Sequence, residues 1–68
     1  MKVGDAVMFT SNCSYSRWFF GHLGIVESTN YAKDGKLHCR VRWMQPVKYF
    51  GRMTKMSDFC ADKFTLSK

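Results

Sequence analysis

Three basic side chains alternate along one segment and could contact phosphates. From Leu37 to Trp43 the odd positions are apolar or cysteine, and the even positions hold His38, Arg40 and Arg42. Alternate residues of a strand lie about 6.6 Å apart on one face, which is close to the spacing of phosphates along a nucleic-acid strand. Arginine also binds phosphate with two hydrogen bonds and stacks on bases. This basic stripe therefore predicts nucleic-acid binding, and the alternative is an ordinary solvated sheet face.

An aromatic cluster is the second group of residues that could bind a partner. Residues 15–20 read Tyr-Ser-Arg-Trp-Phe-Phe, and a loop seldom holds so many rings unless some are buried. We expect Phe19 and Phe20 to cover the open end of a barrel, and Tyr15 and Trp18 to stay exposed beside Arg17 for stacking or anchoring. The alternative is a wholly structural cluster, because a small domain needs its large side chains for the core. Two further residues, Lys36 and Lys48, add positive charge near the stripe.

Residue types that catalyse reactions or hold metals form no recognisable pattern in the sequence. The carboxylates make no close pair outside the last turn of the chain, and no serine has the context of a nucleophile elbow. The cysteines and histidines lack the short paired spacings of zinc ligands. We therefore expect a protein that is not an enzyme and has no cofactor, metal site or small-molecule substrate.

Composition favours an anionic partner. Eleven lysines and arginines against five acidic residues give a net charge of +6 on 68 residues, which is large for so small a surface. Nucleic acid and an acidic protein surface are the expected partners, although positive charge can also serve solubility alone. The length predicts one domain over residues 1–68.

The cysteines and the apolar runs indicate where the protein works. Three widely separated cysteines without a C-x-x-C pair argue against a disulfide framework and fit a reducing compartment. No apolar run approaches the ~20 residues needed to cross a bilayer, and the N-terminus does not read as a signal peptide. A cytoplasmic protein without membrane insertion is expected.

Apolar alternation and turn residues divide the chain into short strands. We expect strands over residues 3–10, 21–29, 37–43, 47–51 and 64–67. Asp34 and Gly35 predict a tight turn before the third strand, and Pro46 is expected to end that strand. Gly24 inside the second strand indicates a bulge, a bend or a close approach of another backbone.

The end of the chain completes a fold prediction. Ser57 or Asp58 is positioned to cap one helical turn before the last strand. Five strands, a long first loop and one helical turn predict an all-β fold, a small five-stranded SH3-like barrel.

Short motifs spread over nearly the whole chain carry a family resemblance. They are G-D-x-V-x-F, G-x-x-G-x-V, V-R-W and F-x-A, formed by Gly4, Asp5, Val7 and Phe9, by Gly21, Gly24 and Val26, by Val41, Arg42 and Trp43, and by Phe59 and Ala61 with Leu66 beyond. In their order they resemble the photosystem I family of small SH3-like accessory proteins, and the first two are similar to KOW and Tudor-like modules. The resemblance implies an SH3-like barrel that acts by surface binding. It does not choose a partner, because these relatives bind unlike partners.

Two functions follow as predictions. The first is a nucleic-acid-binding module, for DNA or RNA, that uses the basic stripe and the aromatic loop. The second is a protein-interaction module, an accessory subunit or a small inhibitor of a larger machine with an acidic surface.

Overall fold

Five antiparallel strands form one sheet in the computed structural model, which describes residues 1–67. The strands are β1 (Ala6–Phe9), β2 (Leu23–Tyr31), β3 (Leu37–Tyr49), β4 (Arg52–Cys60) and β5 (Phe64–Leu66). A short helix, α1 (Ser16–Phe19), precedes β2, and a 3₁₀ turn (Ala61–Lys63) precedes β5. The strand order is β4-β3-β2-β1-β5, so the chain's first strand lies between β2 and the last strand. This confirms the predicted all-β, SH3-like fold, although among residues 1–67 no ladder joins β4 to β5 to close the ring.

Strand β3 is longer than predicted because it continues through Pro46. Its register against β4 shifts between the pairs Arg42 with Met56 and Val47 with Thr54, so residues 43–46 bulge opposite Lys55 alone. Proline lacks a backbone N–H, and the bulge is a place where the ladder does not require one. The predicted separate strand at 47–51 is therefore wrong, and its first residues belong to β3.

Strand β4 occupies a segment in which no strand was predicted. Ser57 and Asp58 lie inside this strand, opposite Val41 and Arg40, and neither caps a helix. The 3₁₀ turn begins after Cys60 without a side-chain cap. The predicted number of strands is correct because two errors offset each other, one strand divided in two and another missed.

The core confirms the alternation predicted for β3. Cys39, Val41 and Trp43 are buried, and they pack with Val7 and Phe9 of β1. The turn at residues 32–36 is also confirmed, since the Gly35 backbone has a φ of 83° and the Ala32 N–H donates to the Lys36 carbonyl.

Gly24 marks a close approach of a neighbouring strand. A Cβ atom at this position would lie 2.3 Å from Val41 Cγ1 and 2.9 Å from the Arg42 carbonyl oxygen. The predicted alternatives are thereby resolved, because only glycine lets β2 and β3 come this close.

Among residues 1–67, no helix is long and apolar enough to cross a membrane.

Candidate ligand-binding surface

Phe19 attaches the loop between β1 and β2 to the core. Its ring is 2% exposed and stacks on Trp43 at 5.2 Å, with Phe59 at 5.1 Å and Tyr49 at 5.3 Å. The loop forms one helical turn here, in which the Phe19 N–H donates to the Tyr15 carbonyl. The prediction that Phe19 is buried is confirmed, and the turn of helix was not predicted.

Phe20 does not cover the barrel, contrary to prediction. Its side chain is 54% exposed, whereas Phe19 directly before it is buried. A turn of α-helix rotates successive side chains by about 100°, so two neighbours cannot face the same core. One ring therefore closes this end of the barrel, and the other points away from it.

The remaining rings of the loop meet the turn between β3 and β4. Trp18 contacts Tyr49 at 4.9 Å and Phe50 at 4.8 Å between ring centres, and Tyr15 lies 6.2 Å from Tyr49. Tyr15 is 41% exposed, as predicted, and Trp18 is half-buried. The two segments bound an open cavity of about 550 Å³. We call it the aromatic pocket and define it by Tyr15, Arg17, Trp18, Tyr49 and Phe50.

Phe50 holds an unfavourable backbone conformation at the edge of this pocket. Tyr49 pairs with Arg52, which leaves Phe50 and Gly51 as a two-residue turn with φ values of 50° and 76°. Positive φ at both positions is the signature of a type I′ turn, which favours Asn, Asp or Gly. Within residues 1–67, no other residue except glycine has a positive φ. The Phe50 side chain is nevertheless 71% exposed, so burial explains little of its presence.

Arg17 supplies the positive charge of the pocket. Its guanidinium carbon lies 5.3 Å from the centre of the Trp18 ring, a cation–π distance. Within the described chain, Arg17 has no ion-pair partner and no carboxylate lines the pocket. The pocket therefore combines exposed rings with uncompensated positive charge.

Cys13 lies in the wall of the same pocket. Burial by itself raises the pKa of this thiol, but hydrogen bonds from Ser11 and the Tyr15 backbone, together with the charge of Lys63, bring the pKa below its usual value. Lys63 is therefore a further cation close to this loop.

The predicted basic stripe is an exposed face whose arginines have acidic partners. Arg40 donates two hydrogen bonds to Asp58, at 2.9 and 3.2 Å, and Arg42 forms an ion pair with Glu27. The hydrogen bond from Arg40, with its charge, lowers the pKa of the Asp58 carboxyl. His38, at the end of the stripe, is half-buried opposite Cys60. Cross-strand partners thus balance the charge of both arginines.

The predicted site residues separate into two regions. Tyr15, Arg17 and Trp18 line the aromatic pocket, and Lys48 adjoins it beside Tyr49. Lys36 precedes the opposite end of β3, where its backbone N–H donates to Asp34. Together with His38, Arg40 and Arg42, it lies outside the pocket lining.

Two rings of the pocket are absent from the predicted site. Tyr49 and Phe50 come from the β3–β4 turn, far from Trp18 in the sequence. The sequence contains one signal for this turn, an aromatic residue directly before Gly51 between segments that can pair.

Comparisons of the chain with protein-family models, curated proteins and solved structures find no match. The resemblance to the small SH3-like accessory proteins of photosystem I and to KOW and Tudor-like modules therefore stays a prediction from the motifs.

Proposed function

We propose that this protein is a non-enzymatic module that binds nucleic acid, DNA or RNA, through the aromatic pocket and the basic side chains beside it. The observation that carries the proposal is Phe50, an exposed ring in a conformation that disfavours phenylalanine. Unfavourable backbone conformations in proteins concentrate at functional sites. An exposed ring at such a position points to stacking on a ligand.

The chemistry of the pocket suits nucleic acid. Aromatic side chains stack on bases, and arginine adds cation–π and phosphate contacts. Arg17 is positioned for both roles beside Trp18, and Lys48 and Arg52 flank the turn that carries Phe50. The net charge of +6 further favours a polyanion.

The basic stripe has a smaller role in this proposal than in the sequence-based prediction. Arg40 and Arg42 must exchange an acidic partner for a phosphate before they contribute to binding. Arg17 makes no such exchange, so the pocket is the favoured contact. All three cysteines are free thiols, which fits our further proposal that the protein works in the cytoplasm.

Fluorescence anisotropy with a labelled oligonucleotide, in single-stranded and duplex forms, tests the proposal. We expect binding at low salt that weakens steeply as salt is added. Arg17→Gln should weaken binding, and Lys36→Gln is the matched control, because it removes the same charge at the far end of β3. Absence of binding at low salt, or equal effects of the two variants, would contradict the proposal.

A protein-interaction module is the second candidate, and a different surface favours it. Leu23, Met44, Met53 and Met56 are exposed, and methionine is enriched at protein interfaces. In this proposal the chain is an accessory subunit or small inhibitor that binds an acidic protein. A stoichiometric partner that survives nuclease treatment and is lost on Met44→Lys with Met56→Lys would favour this function over the first.

A further inference from the structure

We propose that the aromatic pocket binds an unpaired nucleobase, so that the protein prefers single-stranded to duplex nucleic acid. This inference rests on the proposed function and adds the form of the ligand. It follows from three features of the pocket, the orientation of its rings, its position between two segments and its charge.

The orientation of the rings leaves an aromatic face free. Phe50 and Trp18 meet at 44° with their centres 4.8 Å apart, so they are tilted and not stacked on each other. Tyr49 meets both rings near their edges, at 84° to Trp18 and 66° to Phe50. Phe50 stays 71% exposed in this arrangement. A planar group can therefore stack on Phe50 without displacing any of its neighbours.

The position of the rings favours a base that is not paired. In a duplex, neighbouring bases cover both faces of each base, and a protein that contacts those faces must first unstack them. In a single strand the faces are accessible, and aromatic side chains bind them with little sequence preference. The pocket lies in a recess between the β1–β2 loop and the β3–β4 turn, and its volume of about 550 Å³ suits a group of small-molecule size.

The charge of the pocket distinguishes a nucleotide from the other ligands of aromatic sites. Clusters of rings also bind methylated ammonium groups, which are cations. Arg17 already presents a cation to Trp18, and among residues 1–67 no carboxylate lines the pocket. A second cation is therefore repelled, whereas a base with its phosphate gains both stacking and charge attraction.

Tryptophan fluorescence of the whole chain provides a direct test. Trp18 borders the pocket, whereas Trp43 is 4% exposed and donates a hydrogen bond to Ser57, so only Trp18 should respond to a stacked base. The ligands are a single-stranded oligonucleotide, a blunt duplex of the same sequence, and a nucleoside monophosphate. Trp18→Phe keeps a ring in the pocket and removes the responding fluorophore.

We expect the single strand to quench fluorescence and to bind at least about 10-fold more tightly than the duplex, with little quenching in Trp18→Phe. Phe50→Asn, a substitution that suits the turn, should weaken single-strand binding by about 5- to 150-fold, the range for one stacking contact. Equal affinity for strand and duplex, or binding without quenching, would overturn the preference for unpaired bases while leaving the proposed function in place.

Two other outcomes also overturn the inference. Quenching by the monophosphate at the same concentration as the oligonucleotide would assign the pocket to free nucleotides. Failure of all three ligands to bind at low salt would remove the proposed function as well, so the two failures are distinguishable.

Discussion

Arg17 and Arg40 are both exposed arginines on a basic protein, but their surroundings differ. Arg40 points from a strand face towards Asp58, its direct cross-strand neighbour, and makes two hydrogen bonds to that carboxylate. Arg17 lies in a loop beside Trp18, and no carboxylate lines its pocket within residues 1–67. The stripe and the pocket therefore use the same residue type for different purposes. Charge that already has a partner stabilises a surface, whereas charge without one is available to a ligand.

The largest test of this difference removes the support of the pocket. Phe19→Ala deletes a buried ring, which typically costs about 3–5 kcal/mol, and a domain of this size rarely has more stability than that. We expect the variant to be largely unfolded at 25 °C, as measured by circular dichroism and urea denaturation. Phe20→Ala removes the adjacent exposed ring and should change stability by less than about 0.5 kcal/mol. A stable Phe19→Ala protein would show that the pocket does not depend on the core.

Two substitutions of Phe50 separate its ring from its backbone conformation. Phe50→Asn and Phe50→Leu both delete the ring and should lose stacking to the same extent. Asparagine tolerates positive φ, whereas leucine does not, so Phe50→Asn should be more stable than Phe50→Leu by about 1 kcal/mol in urea denaturation. Equal stability of the two variants would mean that the turn stores no strain.

Salt dependence compares the charges of the two regions directly. For single strands, each phosphate contact contributes about 0.7 to the slope of log affinity against log salt. Arg17→Gln should reduce the slope by about that amount. Arg40→Gln combined with Asp58→Asn removes an ion pair without changing the net charge, and it should leave the slope unaltered. The opposite result would move the binding site to the stripe.

Cys13 reports whether a ligand occupies the pocket. Its lowered pKa increases the thiolate fraction, so alkylation should accelerate at a lower pH than for an ordinary cysteine. Cys39 is the internal control, because burial raises its pKa and shields it. We expect a bound single strand to slow the modification of Cys13, measured by mass spectrometry of labelled peptides. An unchanged rate in the presence of saturating strand would place the ligand elsewhere.

The smallest effect is expected at the stripe itself. Both partners of the Arg40 and Asp58 pair are more than half exposed, at 55% and 58%, and exposed pairs contribute little to stability. Arg40 lowers the pKa of Asp58, so any stabilisation is present above the ordinary aspartate pKa of about 3.9 and is lost as the pH falls through the lowered value. Asp58→Asn should give no resolvable change in urea midpoint at pH 7. A clear loss would show that the pair is structurally important.

Local rules explain the parts of the fold that were predictable from the sequence. The alternation around Val41 placed the buried face of β3 correctly, because strand side chains point to opposite faces in turn. Asp34 and Gly35 marked their turn because glycine accepts positive φ. Strand β4 escaped prediction because its sequence holds two methionines, a lysine and an aspartate without regular alternation, so its pairing with β3 supplies the order.

The candidate site divides in the same way. The sequence by itself identified Tyr15, Arg17 and Trp18 as candidate binding residues, since exposed rings beside a cation suit only a few kinds of ligand. Only the tertiary structure brought Phe50 against Trp18, and only the register of β3 placed Asp58 opposite Arg40. Composition and periodicity describe what a residue can do. Contacts between distant segments decide which partner it meets, and here they gave the stripe acidic partners and left the pocket open.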